Sequence, residues 1–288
     1  RPGWSCQRLP FRCPMRRMHL RWRAMTKAFT ALSQAGVAAK PIDAVSESVE
    51  ALMARLRASP GRRVRYAIGA ELARGAMGRV VQAWDEELRR EVALKIQRDA
   101  GGDTRVQRRF LEEAQITGQL DHPGIVPIHE LGLDEAGRPF FAMRLVRGRD
   151  LAEVLDCVRN GRDGWTRTRV LHVLLRVCEA LAYAHDKGVV HRDVKPGNVM
   201  VGRFGETYVM DWGLARVVGE SGQVPLDSLR DRIADESADS PLLTQHGDVV
   251  GTPAYMPPEQ AAGGEVPVTP ASDVYALGAI LYHLCAGH

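Results

Sequence analysis

His191-Arg192-Asp193-Val194-Lys195-Pro196-Gly197-Asn198, followed thirteen residues past Asn198 by Asp211-Trp212-Gly213, is the stretch that decides the reading of this chain. Tyr208-Val209-Met210, a strand-like run, leads into the second triplet. Asp193 can accept the proton of an attacking hydroxyl. Asn198 and Asp211 offer hard oxygen atoms suited to Mg2+. Lys195 can offset charge on a group in flight. Together these meet the needs of phosphoryl transfer, which asks for positioning and charge neutralisation more than for covalent chemistry. A capped helix followed by an accidental turn would supply some of these residues, but spacing, order and flanking pattern all agree on the first reading.

Working upstream, Leu72-Ala73-Arg74-Gly75-Ala76-Met77-Gly78-Arg79-Val80 lies between two strand-like runs. Gly75 and Gly78 allow backbone N–H groups to turn towards a phosphate. Two glycines in a hairpin would be only a turn, were it not for Val92-Ala93-Leu94-Lys95 seventeen residues past Gly78. A lysine inside an apolar strand is costly unless its ammonium meets a fixed anion. The helical stretch at 104–120 offers Glu113 as that anion, and a lysine so held can grip nucleotide phosphates.

Strand patterns cover 66–72, 79–84, 91–97, 126–133 and 139–146, and helical ones 104–120, 150–159 and 167–187. The order is a β-rich portion followed by an α-rich one. Val170, Leu171, Leu174, Leu175, Val177, Cys178, Leu181 and Ala182 are expected on the apolar face of the longest helix. Residues 43–58 predict a further short helix, with Ser46 as cap and Val49, Leu52, Met53 and Leu56 at helical spacing.

The 288 residues, 45% hydrophobic and 26% charged, describe an ordinary folded chain. No run of eighteen apolar residues marks a membrane span. The net charge of +4 is unevenly placed. Residues 1–42 hold nine Lys or Arg and no acid, while residues 43–288 hold 30 bases and 35 acids, a net −5. Nothing in the body reads as a nucleic-acid footprint. The first 42 residues are expected to be a disordered basic leader. The five Cys include no C-x-x-C pair. Cys157 and Cys178 are expected as buried thiols in a reducing compartment. His122, His129 and His185 are expected as core histidines, since no metal-like spacing links them.

These motifs resemble those of the protein-kinase family, in particular bacterial eukaryotic-like (Hanks-type) serine/threonine kinases, over about residues 66–288. The resemblance implies an α+β, two-lobed kinase-like fold: a small antiparallel β-sheet lobe with one helix and the hinge over 66–146, then a mainly helical lobe over 147–288. It implies ATP with Mg2+ (or Mn2+), held under the loop Leu72–Val80, with Ala93 and Val80 against the adenine. Met143 would be the gatekeeper, and Arg144, Leu145 and Val146 the hinge. Asp193 would be the base, assisted by Lys195, with Lys95 and Glu113 as the phosphate-gripping pair and Asn198 and Asp211 as metal ligands. Thr117, His191 and Trp212 would belong to a packed spine. Gly251-Thr252-Pro253-Ala254-Tyr255-Met256-Pro257-Pro258-Glu259 resembles the end of an activation segment, and Ser272-Asp273-Val274-Tyr275-Ala276-Leu277-Gly278 the start of the central helix of the second lobe. Lys195 and Thr252 point to Ser/Thr hydroxyls of protein substrates. The expected setting is the cytoplasm, with membrane attachment only through sequence beyond His288. The alternative is a pseudokinase that docks partners, although all six charged or amide residues of the signature are present.

The chain departs from the family at Ala73, where a glycine is usual, at Trp212, where a phenylalanine is usual, and at Pro257, where an alanine is usual. It also stops at His288, before the family's later helices and the arginine that pairs with Glu259, which predicts a fragment of a longer protein. Residues 219–248 carry seven acids and two bases. They read as a disordered insert or as a regulatory loop in which a phosphate on Thr244 is met by Arg192. Autophosphorylation there would involve self-association.

Overall fold

β-branched and aromatic runs punctuated by turns build a five-stranded antiparallel sheet in the order β1-β2-β3-β5-β4. Its strands are β1 (Tyr66–Arg74), β2 (Gly78–Asp85), β3 (Arg90–Gln97), β4 (Ile128–Leu133) and β5 (Pro139–Arg144). The structure is a computed structural model that describes residues 48–58, 65–75, 78–98, 104–217, 253–261 and 268–287. Expectations for the leader 1–42, Ala76, Met77, the insert 219–248 with Thr244, and Thr252 fall outside these residues.

Strand register decides which side chains share a face. Val80 pairs with Lys95, and Ala93 pairs with Met143 and Lys95 with Phe141. Because side chains alternate along a strand, Val80, Ala93, Lys95, Phe141 and Met143 all project from one face. The other face carries its own buried cluster of Tyr66, Val81, Ala83, Val92, Leu94, Ile96, Phe140 and Ala142. Arg65 ties the start of this sheet together: its guanidinium donates to Asp85 through Nε and Nη2 at 2.9 Å each and to Glu130 at 3.0 Å. The guanidinium holds the Asp85 carboxyl down to about 2.

Two helices lie on the sheet's first face. α1 (Val49–Ala58) and α2 (Thr104–Gln119) meet in a cluster of Leu52, Met53, Phe110, Leu111, Ala114 and Phe141. Ser48 Oγ accepts from Ala51 N at 3.2 Å and caps α1, while the expectation for Ser46 and for residues 43–47 lies outside the described residues. Ser48 is the residue placed one position before the first helical turn, where orphan N–H groups need an acceptor.

The helical portion is built around α3 (Leu151–Arg159), α4 (Arg167–Asp186) and α6 (Pro270–Ala286), with the short α5 (Pro258–Ala261) before the last. Asp150 caps α3 by accepting from Glu153 N at 2.8 Å, and Thr166 caps α4 by accepting from Arg169 N at 3.3 Å. Small strands complete it: β6 (Gly148–Asp150), β8 (Val199–Gly202) and β9 (Thr207–Val209) form one sheet, and β7 (Val189–Val190) pairs with β10 (Arg216–Val217). The second core runs through Val170, Val173, Leu174, Val177, Ala180, Leu181 and Ala184 of α4. It also takes in Ile116 from α2 and Leu120 just past its end, so that helix is anchored in both portions.

The expected apolar face of α4 needs correction. Leu171 and Leu175 are exposed, Cys178 is exposed and Ala182 is half-buried. The helix is apolar over too wide an arc for periodicity to select a side, and the line through 170, 174, 177, 181 and 184 is the one that packs inward. Cys157 is buried as expected. His129 is exposed on β4, because its neighbours Ile128 and Glu130 take the inward direction. His122 accepts from Gly124 N at 3.0 Å and stacks on Tyr183. On α6, Ile280 is buried whereas Val274 and Leu281 are exposed.

Candidate active site

The Lys95 ammonium stands on β3 with only 14% of its side chain exposed, and both carboxylate oxygens of Glu113 accept from it at 2.7 Å. Asp211 Oδ1 lies 3.5 Å from the same nitrogen. Burial alone would pull the ammonium down, but the two carboxylates more than offset this and raise its pKa. In return the Lys95 ammonium holds Asp211 below the usual carboxylate range. A lysine from the sheet, a glutamate from α2 and an aspartate from the loop after β9 therefore form one charge cluster.

Asp211 owes its position to the backbone before it. Val209 N donates to Gly124 O at 2.8 Å and Met210 N to Asn198 O at 2.8 Å. Asp211 itself has φ 58°, a left-handed conformation uncommon for a residue with a side chain. Gly213 follows, and a Cβ there would lie 3.1 Å from Glu113 Oε2 and 3.3 Å from Asp211 Oδ1. A side chain there would press tightly on the Lys95–Glu113 pair, and the glycine relieves this close approach. Trp212 is 2% exposed, its ring 4.6 Å from that of His191. Its indole N–H, a donor that phenylalanine lacks, is used on Val209 O at 3.2 Å.

The second cluster centres on Asp193. Its Oδ2 accepts from Lys195 Nζ at 2.8 Å and from Asn198 Nδ2 at 2.9 Å, and Asn198 Nδ2 also donates to Asp193 O at 2.8 Å. Asn198 thus uses its amide nitrogen on Asp193, and its carbonyl oxygen is what it can offer a cation. His191 links the two clusters. Its Nδ1 accepts from Asp193 N at 3.2 Å, so Nε2 carries the proton and donates to Met210 O at 3.0 Å.

The loop carrying Asp193 hangs from α6. Asp273, 1% exposed, accepts from His191 N at 2.9 Å and Arg192 N at 2.8 Å, with His185 Nε2 at 2.7 Å. Burial would raise its pKa, but the His185 hydrogen bond and the two amides outweigh burial and hold it low. These bonds sustain Arg192 at φ 71°. Gln260 Nε2 donates to Arg192 O at 3.0 Å, and Glu259 accepts from Ser272 Oγ. Beside Asp193 and Lys195 opens a cleft lined by Tyr255, Met256, Pro257 and Ala276.

The protein kinase domain family matches residues 66–288. The chain belongs to the protein kinase family. Relatives include the serine/threonine-protein kinase PknD of Protochlamydia amoebophila, 37% identical over 228 residues, or 76% of this chain and 23% of that protein. The probable serine/threonine-protein kinase PknB of Corynebacterium glutamicum is 38% identical, with 77% of this chain and 31% of that protein covered. PknD of Chlamydia pneumoniae is 35% identical, covering 76% and 24%. The chain spans between 23% and 31% of the length of these curated relatives.

Within this kinase fold the expected residues divide plainly. Lys95, Glu113 and Asp211 come together, as do Asp193, Lys195 and Asn198. Val80, Ala93 and Met143 share the face of Lys95. Of the hinge residues, Leu145 and Val146 are half-buried and lie past the end of β5, while Arg144 donates to Tyr208 Oη at 2.7 Å. Thr117 is buried, 7% exposed. In the loop, a Cβ at Gly78 would lie 2.3 Å from Ile96 O, whereas one at Gly75 would meet nothing within 4 Å. Gly78 is therefore demanded by strand packing, and Gly75 alone faces open space. Asp273, Gln260 and the Arg216–Glu112 contact at 3.5 Å escaped sequence reasoning. For Asp273 the signal was a carboxylate in the first turn of an otherwise apolar helix.

Residues implied as metal ligands suit a cation that phosphates complete. Among the described residues no group of three or more His, Cys, Asp or Glu could hold a metal unaided. Asp211 is ionised and half-exposed, and Asn198 adds a neutral oxygen. Two protein oxygens with the balance from nucleotide and water is a usual Mg2+ arrangement.

Proposed function

We propose that residues 66–288 transfer the γ-phosphoryl group of ATP to Ser or Thr hydroxyls of proteins. The observation that carries this is the assembled pair of clusters: Lys95 gripped by Glu113 beside Asp211, with Asp193 held by Lys195 and Asn198. Lys95 would hold the nucleotide α/β-phosphates under Leu72–Val80, with the adenine against Val80 and Ala93, beside Met143 and the hinge 144–146. Asp193 Oδ2 would accept the proton of the substrate hydroxyl, and Lys195 would neutralise charge on the transferred group. Asn198 and Asp211 would hold Mg2+, or Mn2+, which would supply neutralisation of the phosphate charge. The acceptor segment would lie in the cleft between Lys195 and Met256. The division into lobes at 66–146 and 147–288 belongs to the same reading. So does autophosphorylation at Thr244 by a second copy, with Arg192 facing that phosphate and Thr252 shaping the segment's end.

No helix among the described residues is long and apolar enough to cross a membrane, and the need for ATP favours the cytoplasm. The test is phosphate transfer from labelled ATP to an unstructured Ser- and Thr-containing protein, comparing the chain with Asp193→Asn. The variant is expected to bind nucleotide normally and to lose at least about 100-fold in kcat. Equal labelling by the two proteins would overturn the assignment.

A further inference from the structure

The helix α1 lies before the residues that the kinase family matches, which begin at Tyr66. Ten residues are too few to hold a helix in water alone, so docking sustains it. Its anchors are Leu52 and Met53, 2% and 3% exposed. They pack on Phe110, Leu111 and Ala114 of α2 and on Phe141 of β5, with Leu56 and residues of β4 around them. Phe110 precedes Glu113 by one helical turn and Ala114 follows it directly, so the docked turn is the one that presents Glu113 to Lys95. Elsewhere on that turn, Arg216 reaches Glu112 at 3.5 Å from the strand that follows Gly213.

We propose that α1 is a brace for the Lys95–Glu113 pair, with Leu52 and Met53 as positioning residues that hold α2 where Glu113 reaches the ammonium. A kinase unit cut at Tyr66 would keep every catalytic side chain and lose the apolar seat that sets one of them. This rests on the kinase reading above, and deepens it by making residues outside the family match part of the working unit. Changes along packed contacts of this kind can shift function by measurable amounts without touching a ligand.

The test uses the full chain. Leu52→Ala and Met53→Ala are compared with Leu52→Met, which conserves volume, and with Tyr66→Leu, which removes a buried side chain from the opposite face of the sheet. Steady-state kcat and KM for ATP are measured where thermal unfolding shows each protein folded, and amide exchange is followed over residues 104–119. The alanine variants are expected to lose about 5- to 20-fold in kcat and to gain exchange in α2. Leu52→Met restores both, and Tyr66→Leu lowers the thermal midpoint while leaving both unchanged. In a Glu113→Gln background, Leu52→Ala is expected to add no further loss of kcat, because its effect passes through that carboxylate. Wild-type kcat in both alanine variants, or an undiminished loss in the Glu113→Gln background, overturns the brace. If the alanine variants do not fold, Leu52→Val and Met53→Val carry the same expectations. A wild-type chain that transfers no phosphate overturns the kinase reading instead; the exchange measurement then decides the brace, and unchanged exchange in α2 rejects it.

Discussion

Asp211 and Gly213 show how closely a single residue can be constrained here. The turn between them passes so near Glu113 that a methyl group on residue 213 would press on both carboxylates. Gly213→Ala is therefore expected to lower kcat about 10- to 100-fold by displacing Asp211 or Glu113, with little change in thermal midpoint. Steady-state kinetics beside a melting curve checks this, and unchanged kcat would refute the steric argument. Trp212→Phe has the opposite profile. It empties part of a buried site and leaves Val209 O without the indole donor, so stability should fall by about 1–2 kcal/mol while activity persists. Denaturant midpoints measure the loss. At this scale type and spacing singled out Lys95, Glu113, Asp193, Asn198 and Asp211, and the fold gathers them into the two clusters described. For Asp273, quoted only within the 272–278 stretch, type and spacing suggested no role, because an acid in a helix's first turn is ordinary and only the fold reveals the two amides that donate to it.

For whole elements, periodicity located the strands of the main sheet and the helices at 104–119, 151–159 and 167–186 within a few residues, while α6 was expected only through the family resemblance and α5 was not expected; nor did periodicity orient α4. An apolar arc that includes Leu171, Leu175 and Cys178 as well as Val170, Leu174 and Leu181 fits either rotation, and contact with β7, β9 and α6 makes the choice. Leu181→Ala should cost about 2–5 kcal/mol, while Leu171→Ala should change stability by less than about 1 kcal/mol. Chemical denaturation of the two variants separates them, and equal losses would return the helix to the rotation first expected. On α6, Asp273→Ala should strand the His191 and Arg192 amides, cost about 2–4 kcal/mol and depress kcat far more than nucleotide affinity. The reason is that Asp273 supports the loop of Asp193 and does not touch the Lys95 cluster.

Across the molecule, acid should act through carboxylates that folding depresses. Asp85 falls from 3.8 to about 2 beside Arg65, and Asp211 and Asp273 are also lowered. A folded pKa below the unfolded one means stability that is complete above about pH 4 and is lost as pH falls towards 2. The thermal midpoint is expected to be level from neutral pH down to about 5 and to drop steeply below 4. Asp85→Asn should flatten part of that drop, and a slope identical to wild type would remove Asp85 from the account. The partition into sheet and helical portions was legible because helix and strand periods change near residue 150. The seating of α1 on α2 was not, since nothing local in residues 49–58 says which distant surface their apolar stripe will meet.

The two glycines of the loop after β1 differ in what they disclose. Residue 78 has no room for a side chain because a neighbouring strand's carbonyl occupies it, so a descendant of this chain that abandoned ATP would still retain glycine there. Residue 75 is under no such architectural obligation, and its drift to larger residues would be the earlier sign, in a lineage, that the nucleotide had been given up.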